Sequence, residues 1–427
     1  MSDSDLYTDA DPEYRRTKLR SGIPPPGTEA TRAQEEPPRP CMRYAKTPVK
    51  PDMRVSTDFL TCERRLSVKD IVSALRIGKA ETHVDDWSSA ELASQVLSLR
   101  TEISKATPER LSLARARSNP FEAIGRAGFM NRAATKLAAL DATFGLTYTP
   151  HYGPLLFADL CGGPGGFSEY ILWRIYSGGG TAKGFGMTLV SDEEPVNWQL
   201  QKFRPDAPTE NFTVINGVDG KGDLYNNENI KDLGYRIQTD TGLVDLVVAD
   251  GGLDFSGQED KQERLASRLI LCEVIAMLSC LKGGGTFVCK FFDIHEEFTA
   301  NIVWLLYQLF EGICITKPLS SRPANSERYI VCKDLQVEKP VEIINTLMMV
   351  NEEMATRPVE SFVKRSVYVN DDAFIDYVKM RNIRMATKQL QALQDLNAFL
   401  LEPDRQPVYD QEAIKRQCLA EWRLPFN

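Results

Sequence analysis

Between residues 155 and 332, short apolar runs alternate with longer amphipathic stretches. The runs Leu155–Leu160, Lys183–Met187, Phe212–Ile215, Leu243–Ala249, Gly285–Phe291, Gly312–Thr316 and Tyr329–Cys332 predict strands. Several are apolar at consecutive positions, as strands buried on both faces must be. Gln262–Leu281 and Glu297–Phe310 between them have helical spacing. Such alternation predicts an α/β fold: a doubly wound, mostly parallel sheet with helices on both faces. Upstream, residues 66–105 predict helix, with Ile71, Leu75 and Ile77, then Leu92, Val96, Leu99 and Ile103 at helical intervals. After Leu335 the pattern predicts helices only, including Val341–Ala355 and Asp372–Leu400. The expected organisation is a Pro-rich tail (1–50), a helical N-terminal extension (51–150), the α/β core (151–334) and a C-terminal helical extension packing on it (335–427).

Composition changes the tail first. Seven of the first 40 residues are proline, with charged and small polar residues filling most of the rest. That segment buries too little apolar surface to offset its chain entropy and is expected to be disordered. Its run Arg15-Arg16-Thr17-Lys18-Leu19-Arg20 has the form of a nuclear import signal, or equally of a solvated charge cluster. The acidic start, Met1-Ser2-Asp3-Ser4-Asp5, excludes a secretory signal, and no apolar run approaches the ~20 residues a bilayer span needs. Nine cysteines never form CxxC, and three histidines give no zinc spacing, so a reducing compartment and no structural metal are expected. A net charge of −8 argues against coating nucleic acid with the whole surface. It leaves room for a local basic groove.

Chemistry concentrates where strands end. Asp159-Leu160-Cys161-Gly162-Gly163-Pro164-Gly165-Gly166-Phe167 leaves a strand through a glycine-dense turn and enters a helix. Glycines let backbone approach a ligand, and Asp159 can accept hydrogen bonds from an amine or hydroxyl. The dinucleotide register GxGxxG fails at its last glycine, and no P-loop lysine is present. The loop alone fixes no cofactor. Leu246-Val247-Val248-Ala249-Asp250-Gly251-Gly252 ends another strand in an acid, and Phe287-Val288-Cys289-Lys290-Phe291 ends a third in a lysine. Ligands of doubly wound sheets sit outside the carboxyl ends of strands, so Asp159, Asp250 and Lys290 should share one crevice. An unpaired lysine in a buried strand would be costly, which favours a functional Lys290. Asp250 alone is equally a turn cap.

The string from Asp159 through Ser168-Glu169-Tyr170-Ile171-Leu172-Trp173-Arg174 and Lys183-Gly184-Phe185-Gly186-Met187-Thr188-Leu189 resembles the first motif of FtsJ-like ribose methyltransferases, which have a Rossmann-like methyltransferase fold. Within them it is similar to the eukaryotic cap-1 enzymes, which methylate the 2′-hydroxyl of the first transcribed nucleotide of capped mRNA. The resemblance covers roughly residues 66–425. It implies S-adenosylmethionine as cofactor, held by Asn131, Asp159, Cys161, Gly162, Gly163, Pro164, Gly165, Gly166, Phe167, Asp223, Leu224 and Asp250. It also implies a catalytic Lys-Asp-Lys-Glu tetrad, matched in order by Lys136, Asp250, Lys290 and Glu327. Lys136 lies in Phe129-Met130-Asn131-Arg132-Ala133-Ala134-Thr135-Lys136, and Glu327 in Ser320-Ser321-Arg322-Pro323-Ala324-Asn325-Ser326-Glu327-Arg328-Tyr329. Many methyltransferases end their second strand in an acid that grips the cofactor ribose. Met187-Thr188-Leu189 offers none. Longer cap-1 proteins carry a glycine-rich patch, a WW module and a guanylyltransferase-like domain, so this chain is expected to be a compact member or a catalytic core.

From Lys105 to Lys136 stand seven basic residues and two acids, a local excess that suggests a phosphate-facing groove. The resemblance implies substrate contacts at Arg100, Arg115, Asp260, Lys261, Gln262 and Asn325, with Asp260-Lys261-Gln262 departing from the family's more familiar Asn-Leu-Gln. Trp173, Trp198 and Trp304 have apolar or helical neighbours and read as core. The function expected is S-adenosylmethionine-dependent cap-0 to cap-1 methylation in the nucleus, with a cytoplasmic pool and the transcription machinery as partner. The alternatives are an FtsJ-like enzyme for ribosomal or transfer RNA, or a catalytically silent cap-binding module. A nicotinamide oxidoreductase is disfavoured by the failed third glycine.

Overall fold

Consecutive apolar positions can be satisfied only by burial on both faces, and the strands that carry them lie in the middle of one sheet. The computed structural model describes residues 48–148, 153–192, 196–253 and 261–426. Its strands are β1 Leu60–Thr61, β2 Leu75–Gly78, β3 Leu155–Leu160, β4 Ala182–Met187, β5 Phe212–Val214, β6 Val244–Ala249, β7 Leu281–Phe291, β8 Phe310–Thr316, β9 Arg328–Leu335 and β10 Ser361–Val363. Eight form one sheet in the order β1-β8-β9-β7-β6-β3-β4-β5. From β7 to β5 every pairing is parallel, while β9 runs against both neighbours and β1 against β8. This is the doubly wound, mostly parallel architecture the apolar runs predict.

The helices are α1 Val68–Ala74, α2 Val84–Trp87, α3 Ala90–Ile103, α4 Pro108–Ser118, α5 Arg132–Phe144, α6 Gly166–Ser177, α7 Asn227–Asp240, α8 Gln262–Cys280, α9 Glu297–Leu309, α10 Val341–Met354, α11 Asp372–Leu401 and α12 Gln411–Glu421. They split the interior in two. On one face Ala158, Leu160, Val247 and Ala249 pack in one cluster with Leu233 of α7, Val274 of α8 and Leu305 of α9. On the other, Phe157, Leu246 and Val248 pack with Leu137 of α5, Ile171 of α6 and Cys418 of α12. Neighbouring residues of one strand thus enter opposite cores, which is why these segments read as unbroken apolar runs. A third cluster joins the two ends of the chain: Val96 and Ile103 of α3 and Leu111 of α4 pack on Leu393, Leu396 and Phe399 of α11.

Two expectations need correction. Residues 66–105 are not wholly helical, and the chain after Leu335 is not helical throughout: β2 and β10 form a separate antiparallel ribbon, pairing Leu75 with Val363 and Gly78 with Ser361. Ile71 and Leu75 stand four apart, so Leu75 fits a helical stripe. Three or four residues carry too little alternation to overrule that spacing. Among the described residues no helix is long and apolar enough to cross a membrane. Trp304 is fully buried, Trp173 nearly so, and half-buried Trp198 packs against the same core as Trp173.

Candidate active site

The sheet register aligns the reactive groups. Ala249 of β6 pairs with Cys289 of β7 and Lys290 with Tyr329 of β9, so the turn after β6 puts Asp250 beside Lys290. Lys136 comes from α5, whose first residue follows the N-cap Asn131, and Glu327 immediately precedes β9. The four side chains form one continuous chain of opposite charges. Glu327 Oε2 lies 2.9 Å from Lys136 Nζ, Lys136 Nζ 4.0 Å from Asp250 Oδ2, and Asp250 Oδ1 3.2 Å from Lys290 Nζ. Lys290 also donates to the Asp250 carbonyl at 3.0 Å. Both lysines and Glu327 are buried. Burying two ammonium groups is costly unless each is paired, and alternation with two carboxylates supplies that pairing.

The acids are held from behind. Ser321 donates its hydroxyl to Glu327 Oε1 at 2.6 Å, and Tyr329 donates its phenol to Asp250 Oδ1 at 2.7 Å. Glu273, fully enclosed, accepts from the Gly251 amide at 3.1 Å and from the Cys289 thiol, fixing the turn after Asp250. Burial pushes the Glu273 carboxyl up to about 7. Neither Ser321 nor Glu273 is predictable from sequence, because each acts on a segment distant in the chain or on backbone.

The glycine turn follows β3, the strand next to β6 in the sheet. Gly165, at φ +123° and with Phe203 ring carbons 2.5 Å from where a Cβ would sit, admits no side chain. At Gly162 a Cβ would fall 2.1 Å from Asp159 Oδ1, so the bare turn lies directly on that carboxylate. Asp159 is fully buried, and its Oδ2 accepts from Ser168 Oγ at 2.7 Å. Its Oδ1 has no hydrogen-bond partner among the described residues. Burial, reinforced by the negative charge of Asp250, pushes the carboxyl up to about 7. Asn131 touches the same turn: its Oδ1 accepts from Ala133 N at 3.0 Å and lies 2.1 Å from where a Cβ on Gly166 would be. Glu169, also missed by sequence reasoning, accepts from Met130 N and Arg204 N at 2.8 and 2.9 Å, tying the approach to α5 onto α6.

Beyond β4 no acid follows, but Thr188 takes up the space. Its hydroxyl accepts from Gly163 N at 3.3 Å, and a Cβ at Gly222 would meet its carbonyl at 1.9 Å, so the loop bearing Asp223 lies against it. Asp223 is half-buried and accepts from Tyr225 N at 2.8 Å. Leu224 is buried. Cys161 and Pro164 are partly exposed in the turn, whereas the Phe167 side chain is buried against the Tyr329 ring, centroids 6.4 Å apart.

A cleft of about 920 Å³ opens beside Glu327, and Arg100, Arg115, Lys317, Arg322 and Asn325 line it. Of the basic window 105–136, Arg115 reaches this cleft. Arg110 and Arg117 instead donate to the Leu400 and Pro403 carbonyls at the end of α11, and Arg132 pairs with Glu122 at 2.7 Å. Glu122 also accepts from Asn119 at 2.6 Å and lies 3.4 Å from Arg322. Burial pushes the Glu122 carboxyl up, but Arg322 and Arg132, with Asn119 and Arg115, outweigh it and hold it at about 2. Lys261 is exposed at the start of α8, and Gln262 is buried with Oε1 accepting from Ser326 at 2.7 Å. Asp260, like residues 1–47, lies outside the described residues. Among the described residues no cluster of three or more His, Cys, Asp or Glu could hold a metal ion.

Residues 129–335, from the loop before α5 to the end of β9, match the FtsJ-like methyltransferase family. The chain is 34% identical over 359 residues to a Dictyostelium discoideum protein, with 79% of this chain and 46% of that protein aligned. It is 36% identical over 375 residues to a human protein and 37% to a mouse one, each covering 82% of this chain and 44% of the relative. All three are named cap-specific mRNA (nucleoside-2′-O-)-methyltransferase 1. The chain spans less than half the length of these relatives. With a Rossmann-like sheet, a glycine turn on a buried acid and this match over its core, residues 129–335 form a methyltransferase domain of the FtsJ-like family.

Proposed function

We propose that the protein methylates the 2′-hydroxyl of the first transcribed nucleotide of capped mRNA, converting cap 0 to cap 1. The observation that carries this reading is the unbroken Glu327–Lys136–Asp250–Lys290 chain next to the glycine turn. The relatives' names point to the same substrate. S-adenosylmethionine, when bound, supplies a methyl group on a sulfonium centre. The residues present fit it. Asp159 Oδ1 is a buried acceptor with no partner among the described residues, and the glycine turn from Cys161 to Gly166 is bare of side chains where it lies against that acid. Asn131, Thr188 and Asp223 border the same space.

The chain's own groups then have separable tasks. A ribose hydroxyl is nearly unionised at neutral pH, so its proton must be taken as the oxygen becomes nucleophilic. Lys290, at the end of β7, takes it. Lys136 disfavours a second positive charge at Lys290 and steadies the developing oxyanion. Asp250 and Glu327 hold the two amines in register, with Tyr329 and Ser321 fixing the acids. Arg100, Arg115 and Asn325 line the cleft and receive the cap and its phosphates, with Lys261 and Gln262 at the start of α8 along the RNA. A capped transcript as substrate implies work in the nucleus, with a cytoplasmic pool, alongside the transcription machinery. The test is labelled methyl transfer to capped and uncapped RNA, with nuclease mapping of the product. Cap-dependent label on the first nucleotide, abolished in Lys290→Met with cofactor affinity retained, is expected. Near wild-type turnover in Lys290→Met overturns the assignment of the base. Equal transfer to uncapped RNA overturns the substrate.

A further inference from the structure

The loop between β8 and β9, residues 317–327, carries both Asn325 on the cleft wall and Glu327 in the charged chain. Its first residue, Lys317, also borders the cleft, and its side chain meets both of these residues. The Lys317 ammonium donates to the Asn325 side-chain oxygen at 2.7 Å, to the Asn325 carbonyl at 3.1 Å and to the Glu327 carbonyl. An ammonium has three donors and no acceptor, so these three bonds use it completely. Within the loop the backbone makes only short turns, Ser321 N to Pro318 O at 3.0 Å and Asn325 N to Arg322 O at 3.3 Å. The loop's shape therefore depends on side-chain ties, and Lys317 ties Asn325 and Glu327 together.

We infer that Lys317 is a positioning residue: it sets the orientation of the Asn325 carboxamide towards the substrate cleft and holds the backbone from which Glu327 projects. The orientation follows from chemistry. Only the oxygen of a carboxamide can face an ammonium, so the Asn325 oxygen is committed to Lys317 and its NH2 group is the half left to donate to a ligand. A phosphate or ribose oxygen in the cleft would be met by a preset donor instead of an amide free to flip. Burial, with Arg328 and Lys136 nearby, pushes Lys317 down to about 7 against the pull of Glu327 and Asp293.

This inference rests on the proposed substrate, and the experiment separates the two. The probe is the capped dinucleotide m7GpppA, titrated by calorimetry, with S-adenosylmethionine titrated in parallel. Lys317→Met keeps the length of the side chain and removes its donors. It is expected to weaken dinucleotide affinity about tenfold or more, a loss typical of a hydrogen bond to a charged group, with cofactor affinity within about twofold. In an Asn325→Ala background the same substitution should cost almost nothing further, because it acts through Asn325. Asn325→Asp keeps the oxygen that Lys317 binds and has no N–H to donate. It should match Asn325→Ala in dinucleotide affinity while melting like the wild type, which keeps the test sound if Lys317→Met folds poorly. Unchanged affinity in Lys317→Met, additive losses in the double variant, or wild-type affinity in Asn325→Asp each overturn the inference and leave the proposed function standing. A wild type that does not bind the dinucleotide overturns both.

Discussion

Removing Lys136 should destabilise the protein in a way that depends on pH, and the size follows from its surroundings. Lys136 is 2% exposed and pairs with Glu327, itself 6% exposed, at 2.9 Å. Lys136→Met leaves that carboxylate buried, with Ser321 as its remaining hydroxyl donor. Breaking a buried pair by deleting one partner costs about 3–5 kcal/mol. The orphaned acid has an escape, which is to take up a proton. From an ordinary carboxyl pKa of about 4.3, protonation at pH 7 costs about 2.7 units at 1.36 kcal/mol each, or roughly 3.7 kcal/mol. That is a ceiling on the electrostatic part of the loss at pH 7, and it falls to about 1 kcal/mol at pH 5. The sign follows from linkage: in the variant the native state binds the extra proton and the unfolded state does not, so stability drops as pH rises from about 4. Denaturant unfolding of wild type and variant at about pH 5, 6, 7 and 8 would show a gap widening with pH. Adding Glu327→Gln, which removes the orphaned charge, should recover most of it. A gap that is flat with pH, or a double variant no more stable than Lys136→Met, would refute the reasoning.

Three further outcomes follow from the same geometry. Glu122, held at about 2, contributes stability that is complete above its unfolded pKa of about 4.3 and is lost as pH falls towards 2. Glu122→Gln should therefore cost about 2–3 kcal/mol at pH 7 and flatten the acid limb of an unfolding curve. Gly165→Ala forces a side chain into left-handed backbone against Phe203 and should weaken cofactor binding at least about tenfold, read by calorimetry. Asp159, pushed up to about 7, attracts a cationic ligand only when ionised. S-adenosylmethionine affinity should thus fall as pH drops from about 8 to about 6, and Asp159→Asn should bind weakly at every pH with little slope.

The sheet was legible because each central strand is apolar on both faces, and the positions of Asp250 and Lys290 followed from where those strands end. Lys136 and Glu327 were not legible from pattern alone. One sits in a helix and one in a loop, and their 2.9 Å contact spans 191 residues of chain. The likeness of the surrounding strings to a known family was needed to single them out. Glu169 and Glu273 escaped both routes, since their partners include backbone amides of distant segments, a role with no sequence signature.

The basic window fares differently, and instructively. Its excess of positive charge marks the right region of the fold, yet most of those cations are spent internally. Arg110 caps a carbonyl in the last turn of α11 and Arg117 the Pro403 carbonyl just beyond it, Arg132 answers Glu122, and Lys136 answers Glu327. The cleft draws Arg100 from α3 and Lys317 and Arg322 from the β8–β9 loop, outside the window altogether. A run of like charge survives in a folded protein when each cation finds an acceptor, so the run reports demand for structural acceptors as readily as for phosphate. What distinguishes the cleft is that its cations converge from widely separated segments, from Arg54 to Lys388 of α11, onto one concavity beside the charged chain. That convergence is a property of topology, and it is why an acidic chain can still present a basic site.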